Sequence, residues 1–206
     1  MKTNDILKEL DILIPNPVCS LNYSKDYELL IAVMLSAQST DERVNSVTKE
    51  LFKYDLKALS TMNIDKIQEI IRPVGTQIRK SQYIISIAQK LLFDYDGVVP
   101  CDRSYIESLP GVGHKTCNVI LSELFNEPAV AVDTHVSRVS KRLGFSKAKA
   151  NPNEVEKDLM RIFPKEKWGK LHLQLLLFGR YICKSQKPLC KNCPFKKTLC
   201  IEKNLK

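Results

Sequence analysis

The sequence predicts an all-α fold. Apolar residues recur at the three- and four-residue spacing of helices along almost the whole chain. Residues that start or stop helices flank these segments. Only Val98 and Val99 look extended, and two residues are too few to build a sheet. We therefore expect a protein made of packed helices.

The first half of the chain predicts one buried helix and several amphipathic ones. Residues 29–35 are apolar on all sides, which is typical of a helix in the middle of a bundle. A capping box formed by Ser39 and Glu42 predicts the start of the next helix. Further helices are predicted at about 63–72, stopped by Pro73, at about 78–93, and between Asp102 and Pro110.

The second half predicts four more helices. The gap over residues 144–153 is the best candidate for an internal joint, because Pro152 is suited to the first turn of a helix. The predicted segments are residues 114–125, 134–143, 152–162 and 168–182.

The charge balance favours a polyanionic partner. The 206 residues include 32 lysines and arginines against 23 acidic residues, a net charge of +9, which suits nucleic acid or simply aids solubility. Charged residues interrupt the N-terminal segment 1–13, so we expect no secretory signal and a reducing cytoplasmic location. The longest apolar run is too short to span a bilayer, and we expect no membrane association.

A glycine-containing turn separates two of the predicted helices. Pro110 should end the first helix, and Gly111 and Gly113 should allow positive φ and a close approach of the backbone to a ligand. Val112 can pin the turn to the core. Free N–H groups at the start of the next helix form a ready anion site, although the segment could also be only a tight turn.

Two residues are candidates for the chemistry. Lys115 stands in the first turn of a predicted helix, where the helix dipole and partial burial would both favour a neutral, nucleophilic amine. Nearby phosphates would favour the charged form, and Lys115 could instead only pair with phosphate. Asp133 is a predicted N-cap for the helix that begins at Thr134, and its carboxylate could also stabilise positive charge or transfer a proton.

Four cysteines near the C-terminus predict a metal-containing site. They contain one tight Cys-x-x-Cys pair, whereas a structural zinc site usually contains two, so the spacing favours a [4Fe–4S] cluster over zinc. Disulfides are not expected in a reducing compartment. Lysines surround these cysteines and suggest that the segment contacts DNA. The proposed ligands are Cys183, Cys190, Cys193 and Cys200.

Segments 30–38, 109–116 and 132–135, in that order, resemble the endonuclease III family of bifunctional DNA glycosylases. With the cysteines, the similarity covers nearly the whole chain. The resemblance implies a base-excision-repair glycosylase and AP lyase that removes oxidised pyrimidines from duplex DNA. It implies that Lys115 attacks C1′ and forms a Schiff base, that β-elimination cuts 3′ to the abasic site, and that Asp133 is essential.

The resemblance also implies which residues meet the DNA. The turn is a helix-hairpin-helix element that grips the phosphate backbone, and Gln38 fills the space left by the extruded base. Thr76 lies in a loop where the family usually wedges an apolar side chain into the duplex, and His114 stands where arginine is common. The remaining implied DNA contacts are Gly111, Val112, Gly113 and Thr116.

The implied architecture has two helical lobes. A helical barrel with the hairpin spans residues 22–132, and residues 1–21 join 133–206 in an iron–sulfur cluster domain. DNA with a damaged base or abasic site would lie in the cleft between them, with Lys115 and Asp133 on its two sides, and we expect a monomer. Two alternatives remain: a non-catalytic DNA-binding module, and a glycosylase specialised for another lesion or mismatch.

Overall fold

The computed structural model describes residues 2–201, with Asn192 described by its backbone alone. These residues form α-helices and short 3-10 helices and contain no β-strand, which confirms the all-α prediction. No helix among them is long and apolar enough to cross a membrane. The α-helices are α1 (Thr3–Leu13), α2 (Asp26–Leu35), α3 (Asp41–Leu51), α4 (Leu56–Thr61), α5 (Ile64–Ile71), α6 (Gln77–Tyr95), α7 (Arg103–Ser108), α8 (His114–Phe125), α9 (Thr134–Arg142), α10 (Pro152–Ile162) and α11 (Trp168–Tyr181), and the 3-10 helices are Arg72–Val74, Lys165–Lys167 and Cys190–Asn192.

The chain divides into two compact units. The first is Cys19–Phe125, and the second joins the residues up to Val18 to those from Asn126 onward. In the first unit, every residue of α2 from Tyr27 to Leu35 is buried, so the predicted central helix is confirmed. Helix α2 begins earlier than the apolar run because the Glu28 carboxylate accepts hydrogen bonds from the N–H groups at its start.

The core of the second unit is built around α9, α10 and α11, with α1 packed against them. Helix α11 lies very close to α9 at Gly179, where an added Cβ would stand 2.9 Å from the Cβ of His135. An edge-to-face contact between Phe178 and Phe195, with ring centroids 5.5 Å apart, fixes the cysteine-containing segment on the same core. This packing determines where the start of α9 lies.

Two local predictions in the first unit differ from the structure. The predicted capping box at Ser39 is wrong, because Thr40 is the N-cap of α3 and its Oγ1 accepts a hydrogen bond from the N–H of Arg43 at 3.4 Å. Helix α4 was not predicted, since its six residues are too few for a periodic pattern. It is capped by Asp55, whose carboxylate accepts a bond from Ala58 N–H at 2.7 Å.

Candidate functional site

The hairpin between α7 and α8 lies in the first unit and presents its backbone to solvent. Leu109 and Val112 are buried in the core of this unit, whereas Gly111 and Gly113 are exposed. The Val112 N–H donates to the Leu109 carbonyl at 3.1 Å, which closes the turn. The apolar residues thus pin the hairpin, and the glycines leave its outer side open.

The two glycines differ in conformation and surroundings. Gly111 has φ of +79°, and an added Cβ would stand 2.5 Å from Cδ2 of Tyr83 in α6 and 3.1 Å from Cγ of Met34 in α2. The hairpin therefore rests directly on these two helices. Gly113 does not have positive φ, which corrects the expectation for that residue, and an added Cβ there would meet nothing within 4 Å.

We expect the substitutions Gly111→Ala and Gly113→Ala to separate stability from DNA binding. Gly111→Ala should lower the free energy of unfolding by about 1–3 kcal/mol, because it combines a strained φ with a clash against Tyr83. Gly113→Ala should leave the melting temperature near that of the wild type, since the added methyl group meets nothing within 4 Å, and should weaken binding to an abasic-analogue duplex if a phosphate approaches the backbone there, as the resemblance implies. Thermal melts and fluorescence anisotropy measure the two effects, and full DNA affinity in Gly113→Ala would contradict a close backbone approach.

Four polar side chains form a closed ring that joins α7 to α8. Glu107 Oε1 accepts from Arg103 Nη1 at 3.0 Å and lies 3.1 Å from His114 Nδ1. Arg103 Nη2 donates to Asn118 Oδ1 at 2.9 Å, and Asn118 Nδ2 lies 3.4 Å from His114 Nε2. Burial acts to raise the pKa of Glu107, but its bonds with His114 and Arg103 outweigh burial and lower that pKa.

This ring gives His114 partners within its own unit, and its predicted DNA contact stays a prediction. Both ring nitrogens of His114 lie near polar side chains of its own unit, so a phosphate would compete with Glu107 and Asn118 for them. The sequence analysis did not predict this ring. Its signal in the sequence is two pairs of polar residues spaced four apart, Arg103 with Glu107 and His114 with Asn118, which lie next to each other on a helix.

Lys115 occupies the first turn of α8 and is exposed rather than partly buried. Within residues 2–201 its amine makes no hydrogen bond and no ion pair, so it is accessible to a ligand that approaches the hairpin. Thr116, the next residue, is half-buried.

Asp133 is the N-cap of α9 in the second unit, as predicted for its local geometry. Its Oδ1 accepts a hydrogen bond from the N–H of Val136 at 2.7 Å. The side chain is half-buried and follows the buried residues 129–132. Capping uses one carboxylate oxygen, and Oδ2 has no hydrogen-bond partner in the part of the chain that the structure describes.

Gln38 and Thr76 are exposed residues of the first unit in an unusual backbone conformation. Gln38 has φ of 59° and Thr76 has φ of 48°, so both lie in the left-handed region. For a β-branched residue such as Thr76 this conformation costs about 1–3 kcal/mol. Ile78, two residues later, is 62% exposed and puts an apolar side chain near Thr76. The sequence analysis counted Ile78 only as part of the helix.

The four C-terminal cysteines lie in the second unit and interact with one another. Burial raises the pKa of Cys183, and the charge of Cys200 raises it further. Burial also raises the pKa of Cys193, whose thiol interacts electrostatically with Cys183 and Cys190. Backbone N–H groups of Phe195 and Lys196 donate to the Cys193 thiol. Among residues 2–201, no three histidine, cysteine or acidic side chains form a group that could hold a single metal ion.

Two arginines of α9 bind the backbone around Cys183. Arg142 is buried, and its Nη1 donates to the carbonyl of Lys184 at 2.6 Å and to the Cys183 sulfur at 3.7 Å. Arg138 donates to the carbonyls of Cys183 and Gly179 at 3.2 and 2.8 Å. The two arginines act to lower the pKa of Cys183, although burial outweighs them. Four cysteine sulfurs are the donor type that an iron–sulfur cluster uses.

Comparison with protein families and characterised relatives gives consistent results. Residues 31–165 match the model of the HhH-GPD superfamily of base excision DNA repair proteins. Endonuclease III of Bacillus subtilis (strain 168) is 46% identical over 190 residues, which cover 91% of this chain and 87% of that relative. Endonuclease III of Escherichia coli (strain K12) is 40% identical over 194 residues, which cover 93% and 92%.

Solved structures agree with these relatives. A trapped covalent intermediate of an endonuclease III with DNA matches with a TM-score of 0.91 at 43% identity, covering 98% of this chain and 97% of that one. A non-covalent endonuclease III–DNA complex matches with the same TM-score at 44% identity, covering 98% and 96%. A thermostable thymine-DNA glycosylase, at 23% identity and a TM-score of 0.85, shares the fold.

Proposed function

The chain belongs to the endonuclease III family of the HhH-GPD superfamily of base excision DNA repair proteins, and from this we propose how its residues act. It is a DNA glycosylase and AP lyase. We propose that it removes oxidised pyrimidines from duplex DNA through Lys115. The observation that carries this proposal is the exposed amine of Lys115 in the first turn after the hairpin, without a hydrogen bond or ion pair in residues 2–201.

The proposed reaction has two stages, removal of the base and cleavage of the strand. The neutral amine of Lys115 attacks C1′ of the damaged nucleoside, the glycosidic bond breaks, and the base leaves with its electron pair and gains a proton. The attached nitrogen loses a proton, its lone pair then forms the C=N bond of a Schiff base as the C1′–O4′ bond breaks, and O4′ gains a proton. Loss of a proton from C2′ expels the 3′ phosphate, which cuts the strand by β-elimination, and water releases the enzyme.

Asp133 is proposed to assist at the sugar. Positive charge develops at C1′ as the base leaves, and a carboxylate stabilises such charge most strongly where water is excluded. Its Oδ1 is held by the cap of α9, which leaves Oδ2 for this role or for proton transfer. Asp133 and Lys115 belong to different units of the chain.

The hairpin is proposed to hold the DNA backbone, and Gln38 and Thr76 to meet the lesion. The two endonuclease III structures that this chain matches are complexes with DNA. The exposed glycines and the N-terminal N–H groups of α8 suit phosphate contacts that do not read sequence. Extrusion of a base costs a few kcal/mol and is easiest for damaged bases, which contributes to selectivity. The monomeric state and the cytoplasmic location stay predictions.

Borohydride trapping tests the mechanism directly. Wild-type protein is incubated with a thymine glycol duplex and with an abasic duplex, each in the presence of borohydride, which reduces a Schiff base to a stable bond. We expect a covalent adduct on both duplexes, and peptide mapping should locate it at Lys115. The absence of an adduct on both duplexes would overturn the lysine mechanism, and an adduct at another lysine would reassign the nucleophile.

A second candidate is a glycosylase specialised for another lesion or for a mismatch. Thr76 favours it, because this residue stands in a loop where the family usually has an apolar wedge. Single-turnover excision from matched duplexes, each with one oxidised pyrimidine, one mismatch or no lesion, separates the two. A preference for the mismatch over every oxidised pyrimidine would favour the second candidate.

Family membership suggests an iron–sulfur cluster, and we propose that it is a [4Fe–4S] cluster held by four cysteines. The cysteine ligands of such a cluster bind different irons, so they need not converge on one point as the ligands of a single zinc ion do. When bound, the cluster would act as a structural crosslink of the C-terminal segment. The proposed ligands are Cys183, Cys190, Cys193 and Cys200.

Cysteine substitution tests the cluster. We expect anaerobically purified wild-type protein to contain iron and sulfide in equal amounts, and Cys200→Ser to lose most of both together with the visible absorption. Cys101→Ser is the matched control, because Cys101 is exposed and lies outside the C-terminal segment. Zinc in place of iron, in protein grown with both metals, would contradict the proposal.

A further inference from the structure

Lys80 of α6 is a buried lysine that the proposed mechanism does not use. Its side chain is only 4% exposed, and burial lowers its pKa. Its Nζ donates three hydrogen bonds, to the carbonyls of Leu35 at 2.9 Å, Ala37 at 2.9 Å and Val74 at 3.0 Å. An ammonium group has three donors, so every donor of Lys80 is used. Lys80 forms no ion pair with an acidic side chain within residues 2–201.

The three acceptors come from the ends of two helices. Leu35 and Ala37 lie at and just beyond the C-terminus of α2, and Val74 is the last residue of the 3-10 helix Arg72–Val74. Carbonyls at helix C-termini lack partners within the helix and carry the negative end of its dipole. The ammonium satisfies them and thereby joins two separate segments through one atom.

Each of the two segments leads directly into a residue in the left-handed region. Gln38 follows Ala37, and Thr76 follows Val74 after one glycine, with φ of 59° and 48°. Strained residues persist only where the surroundings determine their conformation. The bonds from Lys80 to the preceding carbonyls supply that restraint on both loops, which are exposed to solvent.

Burial of a lysine is costly, so packing alone does not account for it. An uncompensated ammonium in a protein interior costs several kcal/mol, whereas methionine would fill a similar volume without that cost. The three carbonyl dipoles offset the cost of burying the ammonium only when all three oxygens lie within hydrogen-bond distance of its nitrogen. The chain thus keeps a charged group where its effect is to fix the distance between two exposed loops.

We infer that Lys80 is a positioning residue that holds the loops of Gln38 and Thr76 in the arrangement needed to extrude a damaged base. The inference rests on the proposed function in one respect, namely that these two loops meet DNA. Lys80 is buried, and its proposed role requires contact with neither the DNA nor the reacting atoms. It acts by setting both loops before DNA binds, so that binding energy is not spent on ordering them.

The test compares Lys80→Met and Lys80→Arg with Lys90→Met. Lys90 is exposed on the same helix, so Lys90→Met makes the same change in charge without a buried bond. The readouts are single-turnover excision of thymine glycol, the fluorescence of 2-aminopurine next to the lesion as a report on unstacking, and borohydride trapping on a preformed abasic duplex. The trapping amplitude also measures the folded, active fraction, and all rates are normalised to it.

We expect Lys80→Met to slow excision by about 10- to 100-fold, since small misplacements of positioned groups have effects of that size. The increase in 2-aminopurine fluorescence on binding should become smaller in the same variant. Trapping on abasic DNA should stay within about threefold of the wild type, because no base remains to be extruded. Lys90→Met should match the wild type. The effect of Lys80→Met should shrink in a Gln38→Ala background, since coupled residues are not additive.

Lys80→Arg covers the case in which Lys80→Met does not fold at the assay temperature. It keeps the charge, but its planar guanidinium cannot direct three bonds from one nitrogen, so we expect the same loss of fluorescence and excision. Normalised excision and fluorescence equal to the wild type in either folded variant would overturn the inference, because Lys80 would then be structural alone. Failure of wild-type protein to excise or trap at all would count against the proposed function instead.

Discussion

Replacement of Lys115 by alanine is expected to abolish the covalent adduct with DNA and to lower strand cleavage by roughly 10⁴-fold or more, as loss of a covalent nucleophile does in other enzymes. The structure supports a clean result, because the Lys115 side chain is exposed and makes no hydrogen bond or ion pair within residues 2–201. Its removal should leave the fold of α8 intact, since alanine has the higher helix propensity. Single-turnover cleavage of an abasic duplex and borohydride trapping measure the loss.

Lys49→Ala is the matched control for this substitution. Lys49 is an exposed lysine on α3 of the same unit and belongs neither to the hairpin nor to its two helices, so its loss removes the same charge. A non-catalytic module would behave differently, since Lys115→Ala would then weaken DNA binding in a salt-dependent way and leave any cleavage unchanged. Full trapping by Lys115→Ala would reject Lys115 as the nucleophile.

Asp133→Asn is expected to lower base excision by about 10²- to 10⁴-fold with little change in stability. Asparagine and aspartate are equally good N-caps, so the bond to the N–H of Val136 should persist and α9 should keep its position. The substitution removes the charge that would stabilise the developing cation at C1′. Excision kinetics together with a thermal melt therefore separate the catalytic role from the cap.

Asp133→Ala provides the comparison for that experiment. It removes the cap as well as the charge, and we expect a further loss of about 1 kcal/mol in the free energy of unfolding. If Asp133→Asn excises bases at the wild-type rate, the carboxylate serves only as the cap of α9.

Helices with strong local signals were predicted to within a residue or two. Helix α10 spans Pro152–Ile162 as predicted, because Pro152 fits the first turn and the side chains of Asn151 and Glu154 cap it reciprocally. Helix α8 also has its predicted bounds, since the glycine turn marks its start. Helix α4 was missed because six residues do not establish a period.

The parts of the site that sequence did not reveal depend on contacts between distant segments. Gly111 and Gly113 look alike in sequence, and only the structure shows that Gly111 alone has positive φ and packs against Tyr83. The sequence gives no sign that Lys80 of α6 is buried. Its burial depends on the end of α2 and the segment before Gly75, whose carbonyls accept its hydrogen bonds. Such effects arise only once the helices are packed.

The left-handed backbone at Thr76 has a consequence for anyone who seeks a more heat-resistant form of this protein. Glycine or asparagine at that position would relieve roughly 1 kcal/mol of backbone strain, and a screen for thermal tolerance would select such a change. The same change would loosen one of the two loops proposed to meet the lesion. If the proposed role of Thr76 holds, stability and damage recognition compete at a single residue, and natural variation at this position should reflect that compromise more than the demands of folding.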